Sequence, residues 1–141
     1  MKIKNIKQKL FLIGAIGFSI FLLFFVIASF WIGREVKSRC QTTKGEYGDS
    51  TSPTASQGQV DCVEALIVQL NDENQGFRSR NSAIWALGQL GDNRALPVLQ
   101  RYYTGNIPSK EPLDKSISQY ELKKAINLTN GGFNITAIFW R

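Results

Sequence analysis

The feature that most constrains this chain is a run of 23 residues, 10–32, that contains no charged side chain. At about 1.5 Å per helical residue, the run slightly exceeds the roughly 30 Å hydrocarbon thickness of a bilayer. The alternative is a cleaved signal peptide, whose apolar core is usually about 7–15 residues and precedes a small-residue cleavage site. Because this run is longer and no good cleavage site follows it, the sequence predicts an uncleaved transmembrane helix over residues 10–33.

The basic residues that flank this run bear on its orientation in the membrane. Four lie on each side: Lys2, Lys4, Lys7 and Lys9 before it, and Arg34, Lys37, Arg39 and Lys44 after it. The positive-inside rule therefore gives a tie. The tail 1–9 is purely cationic, whereas Glu35 and Glu46 dilute the second flank, and a cysteine pair suits an oxidising exterior. We expect a cell-membrane protein whose N-terminus is cytoplasmic and whose C-terminal domain is outside.

The charge distribution favours a lipid bilayer over nucleic acid as the partner of the basic residues. The formal net charge is +6, yet residues 60–141 contain nine Lys and Arg against eight Asp and Glu. A nucleic-acid-binding domain would carry a basic surface on its folded part. The chain also has no His, which excludes an imidazole base and any His-containing metal site. The sequence thus predicts no nucleic-acid binding, no metal, no cofactor and no enzymatic activity.

Residues 34–59 read as a juxtamembrane segment and a flexible linker. The stretch 41–59 is rich in Ser, Thr, Gly and Gln and has no apolar period. Cys40 and Cys62 bracket it, and they are either joined in a disulfide or two separate thiols, since spacing alone does not decide between these. Within the apolar run, Ala15 and Ser19 form a small-xxx-small pair, which makes a homo-oligomer a further option.

Residues 60–132 show the apolar spacing of amphipathic helices. Helices are predicted over about 60–70, 78–90, 94–103 and 115–128, separated by polar or Gly- and Pro-rich turns. The apolar tail 133–141 is expected to pack across the open end of these helices or to dock on a partner. The fold class is therefore all-α: a transmembrane helix, a flexible linker and a short α-α solenoid of about two helix pairs.

The stretch RNSAIWALGQLGDNRALPVL, residues 80–99, resembles the HEAT repeat of the phycobilisome-lyase type. Ser79 and Ile84 depart from the Val and Ala that are usual in this pattern, and neither departure threatens the fold. The resemblance implies packing and turn-forming roles for the residues that match: Arg80, Ala83, Ala86, Leu87, Gly88, Leu90, Gly91, Asp92, Ala95 and Leu99.

Two helix pairs are fewer than the three repeats that a stable solenoid usually needs, which suggests a chain that works with others. We therefore predict a membrane-anchored, non-catalytic adaptor or scaffold that binds another membrane-associated protein. The alternatives are a small structural subunit of a membrane complex and, from the resemblance, an accessory factor to a cofactor-attaching enzyme. Aromatic residues favour interfaces, and the candidate partner-binding residues are Tyr102, Tyr103, Phe133, Phe139 and Trp140.

Overall fold

The structure is a computed structural model that describes residues 2–47 and 61–140, and every regular element in these two ranges is helical. Five α-helices follow one another: α1 (Lys2–Tyr47), α2 (Cys62–Asn71), α3 (Phe77–Leu90), α4 (Leu96–Tyr102) and α5 (Gln119–Thr129). Two short 3-10 helices accompany them, Asn93–Ala95 before α4 and Ile135–Phe139 near the C-terminus. The prediction of an all-α chain with a long apolar N-terminal helix and a repeat-like region is confirmed.

The first part of α1 presents its apolar side chains to the outside. Large apolar residues from Ile6 to Trp31 are exposed, among them Phe11 at 76% and Trp31 at 74%. The stretch Gln8–Glu46 is long and apolar enough to cross a membrane, and its most apolar part is not buried inside the protein. A signal sequence near the N-terminus has the same two properties.

The second part of α1 corrects the predicted linker. The helix does not end near residue 33 but continues to Tyr47, so the residues from 34 to 47 are helical. Local sequence gives little reason for this, but Val36 and Thr43 are buried against the rest of the protein. Tertiary packing stabilises helix where intrinsic propensity is weak. The remainder of the predicted linker, 48–59, lies outside the described residues.

The core lies between α2, α3, α4 and α5. Helix α2 packs on α3, α3 packs on α5, and α4 packs on α5, which gives the two predicted helix pairs. The fully buried large side chains of these helices are Leu66, Leu70, Ile84, Leu87, Leu99 and Leu122. Helix α1 packs on α2 and also contacts α3. The second part of α1 therefore adds a helix to the side of a stack that two pairs alone would leave open.

The tight turn between α3 and α4 follows from two residues. Gly91 ends α3 with a φ of 63°, a left-handed conformation that glycine adopts without steric cost. Asp92 then accepts a hydrogen bond from the backbone N–H of Arg94 at 2.9 Å. The side chain and backbone N–H of Arg94 bond to this carboxylate, and these bonds lower the pKa of Asp92. The carboxylates of Asp92 and Asp61 in turn raise the pKa of Arg94.

Two predicted helix starts are shifted. The third predicted helix, over about 94–103, begins as the 3-10 helix Asn93–Ala95 before α4 starts at Leu96. The fourth, expected from Lys115, begins at Gln119 because Ser118 caps it: its hydroxyl accepts a hydrogen bond from the N–H of Glu121 at 3.0 Å. Residues 112–116 form a separate turn instead, with the N–H of Lys115 bonded to the carbonyl of Pro112.

Gly88 lies where α3 and α5 are in close contact, and it provides a test of this packing. A Cβ on Gly88 would lie 2.7 Å from the Cα of Ala125, whereas one on Gly45 in α1 would meet nothing within 4 Å. We expect Gly88→Ala to lower the free energy of unfolding by about 1–3 kcal/mol through overpacking. Gly45→Ala is the matched control and is expected to raise it by up to about 1 kcal/mol, the usual gain in helix propensity. Urea unfolding of the full chain in mild detergent measures both, and equal effects would contradict this packing.

Candidate functional site

The segment 133–140, called the C-terminal segment below, packs along α1. The Phe139 ring meets the Phe25 ring edge-on at a centroid distance of 5.8 Å. Trp140 lies over Gly33, where an added Cβ would be 2.6 Å from the Trp140 Cγ. Ala137 and Ser29 are buried, and the Ser29 hydroxyl donates to the carbonyl of Phe25 at 2.8 Å. Small residues on α1 thus leave room for the aromatic side chains, and the C-terminal segment packs along α1. Its Asn134 side chain also donates to Gln89 at the end of α3, at 2.9 Å.

A groove of about 780 Å³ runs along this junction. One side of the groove, the apolar wall, is formed by Phe30, Gly33, Ile138, Phe139 and Trp140. The other side, the polar wall, is formed by Arg34, Lys37, Ser38 and Gln41. Arg34 and Lys37 are exposed. The Nε1 of Trp140 is buried and has no hydrogen-bond partner within the described residues. An amphipathic ligand would match both walls.

Further along, α1 is joined to the repeat domain, residues 61–132, by a covalent bond and polar contacts. Cys40 and Cys62 form a disulfide whose Cα atoms are 5.3 Å apart. The Thr43 hydroxyl donates to the Gln69 side chain at 3.3 Å, and the side-chain amide of Gln75 donates to Glu46 at 2.9 Å. A further bond joins the Arg39 guanidinium to the Ser82 hydroxyl. The repeat domain is therefore packed on α1 and does not hang from it by a tether alone.

The predicted partner-binding aromatics lie in two separate places. Tyr102 is half-buried on α4, where its hydroxyl donates to Asn71 Oδ1 at 3.0 Å. Tyr103 is also half-buried and packs against the core. Phe139 and Trp140 lie on α1, while Phe133 is 79% exposed in the turn that follows α5. The structure therefore does not bring the five together in one site.

The residues of the repeat motif occupy packing and turn positions. Arg80 is 8% exposed, and its Nε donates to the carbonyl of Leu70 at the end of α2 at 2.9 Å. Its guanidinium also lies 5.6 Å from the centre of the Tyr102 ring. Six more motif residues are buried: Ala83, Ala86, Leu87, Gly88, Ala95 and Leu99. The remaining three, Leu90, Gly91 and Asp92, are half-buried at the end of α3 and in the turn that follows. Arg80 thus binds α2, α3 and α4 together.

The loop between α4 and α5 exposes apolar side chains that sequence reasoning missed. Ile107 and Leu113 lie in this loop and Tyr120 in the first turn of α5; Leu113 is 48% and Tyr120 54% exposed. We call these three residues the loop surface. The sequence does contain a sign of this surface, because an Ile and a Leu occur among Gly, Pro and Ser in a breaker-rich stretch. No helical periodicity assigns these two apolar residues to a core.

Two side chains hold this loop in a defined conformation. The Glu111 carboxylate accepts hydrogen bonds from the backbone N–H groups of Gln119 at 2.7 Å and Tyr120 at 3.1 Å. On the other side, the Asn81 amide of α3 donates to the carbonyls of Leu113 at 3.0 Å and Ser116 at 2.9 Å. Because its backbone is bonded to α3 and α5, the loop presents its apolar side chains from a fixed frame.

No three His, Cys, Asp or Glu side chains come together as a metal-binding group within residues 2–47 and 61–140.

Comparison with known proteins confirms the repeat. Residues 79–104 match the family model of the PBS lyase HEAT-like repeat. Deoxyhypusine hydroxylase of Schizosaccharomyces pombe is 35% identical over 75 residues, which is 52% of this chain. The matched part is 24% of that relative, so this chain spans about a quarter of its length. No solved structure matches the chain significantly.

This relative corrects one prediction. The sequence predicted that the chain is not an enzyme, and that prediction is contradicted because the similar protein carries the name of an enzyme. The absence of His excludes one set of catalytic groups, but it does not exclude catalysis by the others.

Proposed function

We propose that this chain is a membrane-anchored helical-repeat module that binds a partner protein at the membrane surface. The observation that carries the proposal is the division of α1: its first part exposes apolar side chains, and its second part is packed into the repeat domain. Exposure of so many large apolar side chains to water would be unfavourable, whereas a bilayer would accommodate them. A spanning α1 would hold the repeat domain close to the bilayer.

The packing of α1 supports an anchor that is retained. Phe25, Ser29 and Gly33 lie against the C-terminal segment, and all three are inside the predicted span 10–33. Cleavage of a signal sequence after the apolar run would remove Phe25 and Ser29 and leave Phe139 without its ring partner. A retained α1 keeps these contacts.

The orientation that we propose has the N-terminus in the cytoplasm and the repeat domain outside the cell membrane. The disulfide between Cys40 and Cys62 supports this orientation because such bonds persist in oxidising compartments. The purely cationic N-terminal tail agrees with it.

The loop surface is our candidate for the contact with the partner protein. Its side chains are apolar and exposed, and the bonds from Glu111 and Asn81 fix the backbone that carries them. A preorganised backbone lowers the entropy cost of binding, and aromatic residues such as Tyr120 are enriched in the centres of interfaces. The candidate Tyr102, by contrast, is committed to Arg80 and Asn71.

Site-specific photo-crosslinking in native membranes tests this proposal. A photoreactive phenylalanine analogue at Tyr120 is expected to capture one defined protein band. The same group at Gln100, an exposed position of α4, is the matched control and is expected to capture much less. Tyr120→Asp, combined with the analogue at Leu113, should abolish the band. Equal capture from positions 120 and 100, or none from either, would contradict a partner-binding role for the loop surface.

A second candidate function is enzymatic, and the similarity to deoxyhypusine hydroxylase favours it. The proposal is that this chain takes part in hydroxylation of deoxyhypusine, in which one oxygen atom of dioxygen enters a C–H bond and a two-electron reductant reduces the other oxygen atom to water. Incubation of the full chain with deoxyhypusine, dioxygen and a two-electron reductant, followed by mass spectrometry, tests it. Addition of one oxygen atom to the substrate would support the activity, and an unchanged substrate would refute it.

A further inference from the structure

We infer that the groove between α1 and the C-terminal segment binds an anionic phospholipid. Its head group would bind at Arg34 and Lys37, and its acyl chains would lie along Phe30, Ile138 and Phe139. This inference rests on the proposed membrane anchoring of α1, but not on the identity of any protein partner.

The position of the groove along α1 matches the layers of a bilayer. If residues 10–32 span the hydrocarbon core, Arg34 and Lys37 lie about 3 Å and about 8 Å beyond its edge at the usual helical rise. The polar head-group layer on each side is roughly 5–8 Å thick. The two cationic side chains therefore lie at the depth of lipid phosphates. Phe30 lies about 3 Å on the other side of that edge, at the depth of the acyl chains.

The charges on the polar wall are available to a ligand. Neither Arg34 nor Lys37 forms an ion pair with any carboxylate in the described part of the chain. The nearest acidic residue in sequence, Glu35, is bonded to Arg39 at 2.7 Å, which occupies that carboxylate. Ser38 and Gln41 add hydrogen-bonding side chains to the same wall. A phosphate can therefore bind without displacing an existing ion pair.

Trp140 supplies an independent indication of a polar ligand. Its Nε1 is a buried donor with no acceptor within the described residues. A buried donor without a partner costs roughly 1–3 kcal/mol and calls for an explanation. An ester or phosphate oxygen of a lipid in the groove would supply the missing acceptor after a small movement of the ring. Indole side chains are also enriched at the membrane–water interface, where they can meet both kinds of group.

The apolar wall continues the exposed apolar surface of α1. Ile138 is 65% exposed, Phe30 62% and Phe139 46%. These side chains come from two separate segments that the contacts of Phe139 with Phe25 and of Trp140 with Gly33 hold side by side. A soluble anion would use only the polar wall, whereas a phospholipid would use both. The combination of walls therefore favours a lipid as the occupant.

Native mass spectrometry of the full chain released from nanodiscs tests the inference. The discs contain equal parts of phosphatidylglycerol and phosphatidylcholine, and the protein is released into mild detergent. We expect the wild-type chain to retain one phosphatidylglycerol molecule in preference to phosphatidylcholine. The double variant Arg34→Gln/Lys37→Gln should bind phosphatidylglycerol about thirtyfold more weakly, from about 1 kcal/mol for each basic residue. Addition of inorganic phosphate to the detergent should not displace the lipid.

A variant with the same loss of charge elsewhere is the matched control. Lys44→Gln/Arg78→Gln removes two positive charges from positions that do not line the groove, and it should retain the lipid as the wild type does. Ile138→Asn makes the apolar wall polar without adding a charge, and it should weaken retention while leaving both cations in place. Equal retention by the wild type and the Arg34/Lys37 variant, no preference for phosphatidylglycerol, or displacement by inorganic phosphate would each overturn the inference.

The experiment separates this inference from the proposed anchoring. If the chain inserts into nanodiscs but the Arg34/Lys37 variant retains lipid normally, the lipid site is wrong and the anchor stands. If the chain does not insert at all, the anchor and the lipid site are both wrong.

Discussion

Replacement of Leu87 by Ala is expected to lower the free energy of unfolding of the repeat domain by about 2–5 kcal/mol. Leu87 is fully buried in the last turn of α3, inside the cluster that α2, α4 and α5 also contribute to. The variant loses the transfer free energy of the removed atoms, and it leaves a cavity that the surrounding helices cannot close. Small domains have net stabilities of about 5–15 kcal/mol, so the loss is a large fraction of the total.

The effect of Leu87→Ala is measured by urea unfolding of the full chain in mild detergent, with tryptophan fluorescence as the signal. Trp85, next to the core on α3, reports on the repeat domain. Leu113→Ala is the matched control because it is the same substitution at a side chain that is 48% exposed, and it should change stability by less than about 1 kcal/mol. Equal effects of the two substitutions would show that Leu87 is not in a core.

Replacement of Cys62 by Ser is expected to lower the free energy of unfolding by about 3 kcal/mol. The disulfide closes a loop between residues 22 positions apart, and removal of such a cross-link returns conformational entropy to the unfolded chain. The loss should appear as separation of the repeat domain from the second part of α1, because the cross-link lies in their interface.

The control for the disulfide is a comparison of the two single cysteine variants with the double variant, whose effects on stability should not add. Cys40→Ser, Cys62→Ser and the double variant should all unfold at the same urea concentration, since each removes the same bond. The reduced wild-type chain should match them, and the oxidised wild-type chain alone should be more stable. The account of this interface would be contradicted by a wild-type chain whose stability is the same with and without reductant.

The repeat helices could be predicted from the sequence because their evidence is local. Leu66 and Leu70 recur at helical spacing, and both are fully buried. Gly91 and Asp92 marked the turn after α3, and they form it through a left-handed glycine and a capping carboxylate. Helical periodicity and turn-forming residues can be recognised from residues that are close together in the sequence.

The extension of α1 could not be predicted because its cause is not local. Residues 41–47 contain Thr and Gly and no apolar stripe, so their pattern resembles that of a linker. They are helical because Thr43 is buried against Gln69 and Cys40 is bonded to Cys62, two contacts with residues far away in the chain. The position of the C-terminal segment has the same origin, since only the fold brings Trp140 to Gly33.

The candidate sites were predicted less completely than the fold. Aromatic composition drew attention to Phe139 and Trp140, but it gave no reason to place them beside Arg34 and Lys37 across a groove. It also grouped Tyr102 with them, although Tyr102 is on α4, where it contacts Asn71 and Arg80 and is apart from the groove. A residue type indicates a chemistry, whereas a site requires the distances between residues.

The central claim is that α1 is retained as a membrane anchor. Its most direct test is the mass of the protein that remains in native membranes after an alkaline carbonate wash. We predict that the protein stays in the membrane pellet and that its intact mass includes residues 10–32. A shorter protein that lacks these residues and is released into the supernatant would show that α1 is cleaved. It would contradict both the anchor and the packing of the C-terminal segment on Phe25.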